Sequence, residues 1–149
     1  MKTQLTSFRR ANSRDIPAMS KIRLAVRENI LSNPARVTEQ MYEDYLELLG
    51  RAWVAEVDGV VAGFCYANNT DSSIWALFIE QKYERRGLGK QLLNMALTWL
   101  FEQGHDVVRL STGAETRADR FYASQGWTRE RVDGNDAFYL RVRPEAQAT

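Results

Sequence analysis

The most constraining stretch of this 149-residue chain runs from Ile74 to Gln103. An unbroken apolar run, Ile74-Trp75-Ala76-Leu77-Phe78-Ile79, leads through a basic loop into Gly87-Leu88-Gly89-Lys90 and a helix ending near Gln103. The apolar run reads as a strand buried on both faces. Leu88, Leu92, Leu93, Ala96, Leu100 and Phe101 recur at helical spacing, and Gly104 supplies the stop. Val107 to Leu110 reads as another short buried strand. Strand, helix and strand form one crossover unit, which joins parallel strands with a right-handed turn.

The flanking sequence fills in around this unit. Leu5 to Arg10 reads as a strand, and Asn12-Ser13-Arg14-Asp15 with Pro17 opens a helix carried by Ile16, Met19, Ile22 and Val26 toward Glu28. Ser32-Asn33-Pro34 breaks the chain, and Thr38 caps a second helix with Met41, Tyr45, Leu48 and Leu49 on one face. Ala52 to Val57 and Val60 to Tyr66 flank Asp58-Gly59, a strong hairpin signal. Arg117 to Gln125 reads as a short helix closed by Gly126. Trp127 to Val132 and Ala137 to Val142 flank Asp133-Gly134-Asn135 as a second hairpin, and a polar tail expected to fray follows Pro144. The order β-α-α-β-β-β-α-β-α-β-β predicts a mixed α+β (α/β) fold. Its sheet is mostly antiparallel and twisted, with one central parallel β-α-β unit and helices on both faces.

The length suits one domain spanning residues 1–149, since domains commonly run ~100–200 residues. Apolar residues make up 44% and charged residues 26%, a globular balance. Twenty basic against 19 acidic residues leave a net charge of +1, which gives no general attraction to nucleic acid or anionic membrane. No apolar run approaches the ~18 residues of a membrane span. One cysteine, Cys65, excludes an internal disulfide framework and CxxC metal clusters. No metal is expected, and the expected compartment is a reducing cytoplasm.

The loop into the long helix has the chemistry of an anion site. Backbone N–H groups at a helix start lack intrahelical partners, and the helix dipole favours negative charge there. Gly87 and Gly89 let a phosphate approach the backbone, while Arg85, Arg86 and Lys90 add positive charge. A Walker loop would need glycine at position 84 and Ser or Thr at 91, where Glu84 and Gln91 stand. A dinucleotide fingerprint would need a small residue at Leu92.

The six residues Glu84-Arg85-Arg86-Gly87-Leu88-Gly89 resemble the Gln/Arg-x-x-Gly-x-Gly/Ala signature of the GNAT (Gcn5-related) N-acetyltransferase superfamily. Glu84 departs from its first position. Ala118-Asp119-Arg120-Phe121-Tyr122-Ala123-Ser124-Gln125-Gly126-Trp127 is similar to a second family segment, with Glu115 where an Asn usually leads. The resemblance covers roughly Ala52 to Leu140.

It implies an enzyme that moves an acetyl group from acetyl-CoA to a primary amine by direct attack, through a tetrahedral intermediate. The coenzyme would lie in a splay between the two parallel strands. Backbone groups of Leu77, Phe78 and Ile79 would pair with the pantetheine arm, and N–H groups from Arg85, Arg86, Gly87, Leu88, Gly89 and Lys90 would hold the pyrophosphate. Tyr122 would protonate the leaving thiolate, since a phenol with pKa near ~10 keeps its proton at pH 7. The alternative is a non-catalytic module of the same fold that senses acyl-CoA.

Other candidates are weaker. Asp71, Ser73, Glu80 and Glu28 stand near positions suited to a general base, although surface charge is the simpler reading for the carboxylates, and proton loss to water is also open. His105 reads as a surface residue, Cys65 as a small core residue, and Trp53, Trp75 and Trp127 as core or pocket wall. Glu28-Asn29 and Asn33 to Arg36 are candidates for the acceptor wall. Glu39, Glu43, Asp44 and Glu47 fall on a solvent face, so they do not single out a polyamine. The expected acceptor is an amine on a small molecule or peptide, and Phe138 and Tyr139 offer a contact for a homodimer.

Overall fold

The computed structural model describes residues 4–25, 46 and 49–144. Most of the expected second helix with its acidic residues, Glu28-Asn29, the Ser32-Asn33-Pro34 break, Asn33 to Arg36 and the tail after Pro144 lie outside them. The described elements are β1 (Thr6–Arg10), α1 (Ile16–Ala25), β2 (Gly50–Val57), β3 (Val60–Asn68) and β4 (Ser73–Ile79), followed by α2 (Leu88–Glu102), β5 (Val107–Gly113), α3 (Arg117–Ser124), β6 (Thr128–Asp133) and β7 (Asp136–Val142). Seven strands form one sheet in the order β1-β2-β3-β4-β5-β7-β6. Every neighbouring pair is antiparallel except β4 and β5. The expected mixed fold with one parallel unit is therefore present.

Local chemistry explains the elements. Asp58 and Gly59 both have positive φ (52° and 80°), as a tight hairpin turn between β2 and β3 requires. The apolar stripe of α2 buries Leu88, Leu92, Leu93, Ala96, Leu97 and Leu100 against one sheet face. α1 covers the opposite face with Met19 and Ile22, beside Leu46, Val54, Phe64 and Tyr66. The C-terminal hairpin does not simply extend the sheet. β7 pairs directly with β5, and β6 becomes an exposed edge.

β4 departs from the sequence expectation. Ile74 and Ala76 are buried, but Leu77, Phe78 and Ile79 are only partly so. Leu77 and Ile79 pack against the α2-side core and Phe78 against the α1-side core, so both faces are packed, but the C-terminal half also serves as the wall of a cleft and is not fully buried. β4 also carries a bulge: Tyr66 pairs with Ala76 and Ala67 with Ile74, which leaves Trp75 as an extra residue. Trp75 and Ala76 consequently both pack toward the α1 side, where Trp75 meets Tyr66 edge-on at 5.0 Å.

A charged knot fixes the N-terminal corner. Asn12 and Asp15 form a reciprocal capping box ahead of α1. Arg9 donates both terminal nitrogens to the Asp15 carboxylate at 2.8 Å and also pairs with Glu56 of β2. Arg9 holds the Asp15 carboxyl below the usual carboxylate range, against the opposing effect of burial. Its contribution is complete above the unfolded pKa of ~3.9 and is lost as pH falls through the lower folded value. Asp15→Ala is expected to lower the unfolding free energy by about 1–3 kcal/mol at pH 7, measured by urea titration. That deficit should shrink below pH ~4, where the native protein loses the same interaction. A deficit that stays constant with pH would contradict the ionic origin.

Candidate active site

The site begins where β4 and β5 part. Ser72, buried and at φ 57°, donates its Oγ to the Val107 carbonyl at 2.6 Å. The Arg109 N–H donates to the Ser72 carbonyl at 3.0 Å. Ser73 and Arg109 are the single ladder pair between these strands. Beyond it the strands diverge, and the β4 edge along Leu77, Phe78 and Ile79 has no strand partner on the β5 side. These three residues line a cleft of about 360 Å³.

One wall is the basic glycine loop. A 3₁₀ turn at Gln81–Tyr83 leads into Glu84, then Arg85 and Gly87 adopt left-handed backbone at φ 65° and 80°. No side chain caps α2. The first helical bond there runs from the Gln91 N–H to the Gly87 carbonyl at 3.1 Å, so the N–H groups of Leu88, Gly89 and Lys90 have no intrahelical acceptor. A Cβ on Gly87 would meet no atom within 4 Å, so the backbone lies open there. Arg85, Gly87, Leu88, Gly89 and Lys90 all line the cleft. Arg86 does not: its guanidinium turns to Gln4 and lies over the Tyr83 ring at 5.4 Å.

The facing wall is α3. Arg117, Ala118, Phe121, Tyr122 and Gln125 all line the cleft, at positions i, i+1, i+4, i+5 and i+8 of one helical face. Thr116 caps the helix by accepting from the Asp119 N–H at 3.2 Å. Asp119 is buried and accepts from the Tyr139 hydroxyl, the Glu115 N–H (2.8 Å) and Arg129 (3.2 Å). These bonds hold its carboxyl below the usual range, Tyr139 contributing most and burial opposing. Glu115 itself sits at φ 63°, the backbone region that Asn tolerates better than Glu. That geometry explains why an Asn suits the position.

Tyr122 is 6% exposed and packs edge-on to Phe121 (5.3 Å) and Trp127 (5.9 Å). Burial pushes its phenol well above the ordinary value, so it stays protonated at any working pH. Cys65 is fully buried, and burial likewise pushes its thiol up, the opposite of an activated nucleophile.

The remaining candidates among the described residues do not line the cleft. Asp71 accepts from the Ser73 hydroxyl at 2.6 Å, and Glu80 stands 3.8 Å from Lys82. His105 is half-buried rather than a free surface residue, and its Nε2 lies 2.7 Å from Asn69 Oδ1. Tyr139 is 1% exposed and committed to Asp119, so it cannot serve as a dimer contact; Phe138 lies under Arg131 at 4.1 Å. The sequence reading missed Tyr83, Glu84, Arg117, Ala118, Phe121 and Gln125 as lining residues. For α3 the signal was available in its helical spacing. No group of three or more potential metal-binding side chains occurs among the described residues, and no described helix is long and apolar enough to cross a membrane.

A family model described as "Acetyltransferase (GNAT) family" matches residues 21–127. The chain belongs to the GNAT acetyltransferase family. An uncharacterised N-acetyltransferase of Archaeoglobus fulgidus is 33% identical over 92 residues, which cover 55% of this chain and 63% of that protein. A ycf52-like N-acetyltransferase of Prochlorococcus marinus is 35% identical over 68 residues, 46% of this chain and 37% of that one. This GNAT chain thus matches less than two-thirds of either relative's length. Among solved structures, the PaiA N-acetyltransferase of Thermoplasma acidophilum, in complex with coenzyme A, has a TM-score of 0.76 at 19% identity, covering 93% of this chain and 99% of that one. The yncA protein of Salmonella typhimurium, solved with its cofactor acetyl-CoA, has a TM-score of 0.77 at 19% identity and 96% coverage of both chains. These likenesses establish the GNAT fold.

Proposed function

We propose that this chain is an acetyl-CoA-dependent N-acetyltransferase acting on an amine carried by a small molecule or a peptide. The observation that carries the reading is the convergence of three features on one cleft: an unpartnered β4 edge, an uncapped helix start with an open Gly87, and a buried Tyr122. Each suits one part of the coenzyme. The β4 edge supplies backbone donors and acceptors to an extended amide-bearing arm, as a sheet edge does for a peptide. The N–H groups of Leu88, Gly89 and Lys90 face a diphosphate with the positive end of the α2 dipole behind them. Bound acetyl-CoA supplies the activated acyl group.

Tyr122 then acts as the acid. Its neighbours Phe121 and Trp127 fix the ring, and its hydroxyl carries the proton that a departing thiolate takes up. Glu84 is the single carboxylate among the described lining residues, and it is already paired with Arg117. Among the described lining residues no unpaired carboxylate stands ready as a base, which supports an acceptor that enters as the free amine or gives its proton to solvent.

The test is calorimetry with acetyl-CoA, followed by thiol release with a panel of amines. Micromolar binding and release with at least one amine are expected; no binding would overturn the reading. Gly87→Asp is expected to abolish coenzyme binding, whereas Gly87→Asn, with the same backbone demand and no charge, should retain most of it. Equal affinity in the two variants would remove the phosphate from this loop. Tyr122→Phe is expected to bind acetyl-CoA normally and turn over ~10²-fold more slowly. An unchanged rate would make the hydroxyl a packing group only.

A further inference from the structure

Glu84 and Arg117 meet across the rim of the cleft from opposite walls. Glu84 ends the turn that enters the glycine loop, and Arg117 is the first residue of α3. Both line the cleft, and Arg117 Nη1 donates to Glu84 Oε2 at 2.5 Å across 33 residues of sequence. Their side chains are 40% exposed for Arg117 and 27% for Glu84, so solvent screens the pair only in part.

We propose that this ion pair is a strap over the coenzyme's entry, which makes Glu84 and Arg117 positioning residues for the transfer. The proposal rests on the acetyltransferase reading above and deepens it. The anion-binding amides belong to the start of α2, whereas Tyr122 belongs to α3. The strap fixes these two walls against each other at the rim. Electrostatics makes the two partners unequal. Glu84 adjoins Arg85 of the cradle, so an unpaired carboxylate there repels a diphosphate bound nearby. Arg117 neutralises that charge as well as holding the wall. The Glu84 position, where the family signature has Gln or Arg, is thus compensated from another element.

The asymmetry gives the test. Coenzyme A affinity by calorimetry and its release rate by stopped flow are measured for the wild type and four variants. These are Glu84→Gln, Arg117→Gln, the double Glu84→Gln/Arg117→Gln, and Arg117→Lys. Circular dichroism verifies that each variant is folded. Arg117→Gln is expected to weaken binding about tenfold, since it leaves the carboxylate uncompensated. The double variant should regain most of that affinity yet release coenzyme faster than wild type. Glu84→Gln should also release faster, and Arg117→Lys should stay near wild type in affinity. Wild-type affinity and release in every variant would overturn the strap alone. Equal weakening in Arg117→Gln and the double variant would also overturn it, by making Arg117 a direct ligand contact. Failure of the wild type to bind coenzyme A would overturn the acetyltransferase reading and the strap together.

Discussion

The joint at Ser72 governs the rest of the molecule. Its hydroxyl and carbonyl tie the start of β4 to β5 through Val107 and Arg109, and the Ser73–Arg109 pair closes the ladder. The strands are held together at one end and free to part at the other. A continuous parallel ladder would use up the β4 edge and leave no room between the strands. With the joint in place, the α2 N-terminus and α3 face each other across the opening. The Trp75 bulge acts on the same strand and re-aims the side chains before the edge is exposed.

The second constraint is the anchoring of α3. A helix this short has little stability of its own, because helix nucleation is costly. Thr116 caps it, and Asp119 gathers bonds from Tyr139 of β7, Arg129 of β6 and the Glu115 N–H in the turn before the helix. Tyr122, three residues on, inherits that fixed position. Burial raises the phenol's pKa most, and the neighbouring Cys65 adds to the shift. One packed aromatic cluster thereby supplies both rigidity and a retained proton.

Much of this was legible in the sequence because it rests on local pattern. The apolar run into a two-glycine loop located the cradle, and helical spacing located α2. The Asp58-Gly59 turn and the order of elements gave the fold class. Other features depend on contacts between distant residues, which no periodicity encodes. Glu84 read as a departure from a signature, but its partner Arg117 lies 33 residues away. Arg86 read as cradle charge, yet Gln4 and the Tyr83 ring draw its side chain elsewhere. The insertion of β7 between β5 and β6 is set by the long-range register of β5. The partial exposure of Leu77 to Ile79 is hidden for a related reason: an apolar cleft wall and a fully buried strand have the same composition.

Amide hydrogen exchange with and without acetyl-CoA tests the central claim most directly, because the proposed contacts are backbone groups. Bound coenzyme should slow exchange at the amides of Leu88, Gly89 and Lys90 and along the Leu77–Ile79 edge of β4, while the exposed β6 edge stays unchanged. Binding without protection at either segment, or with protection confined to other parts of the sheet, would contradict the placement of the coenzyme in this cleft.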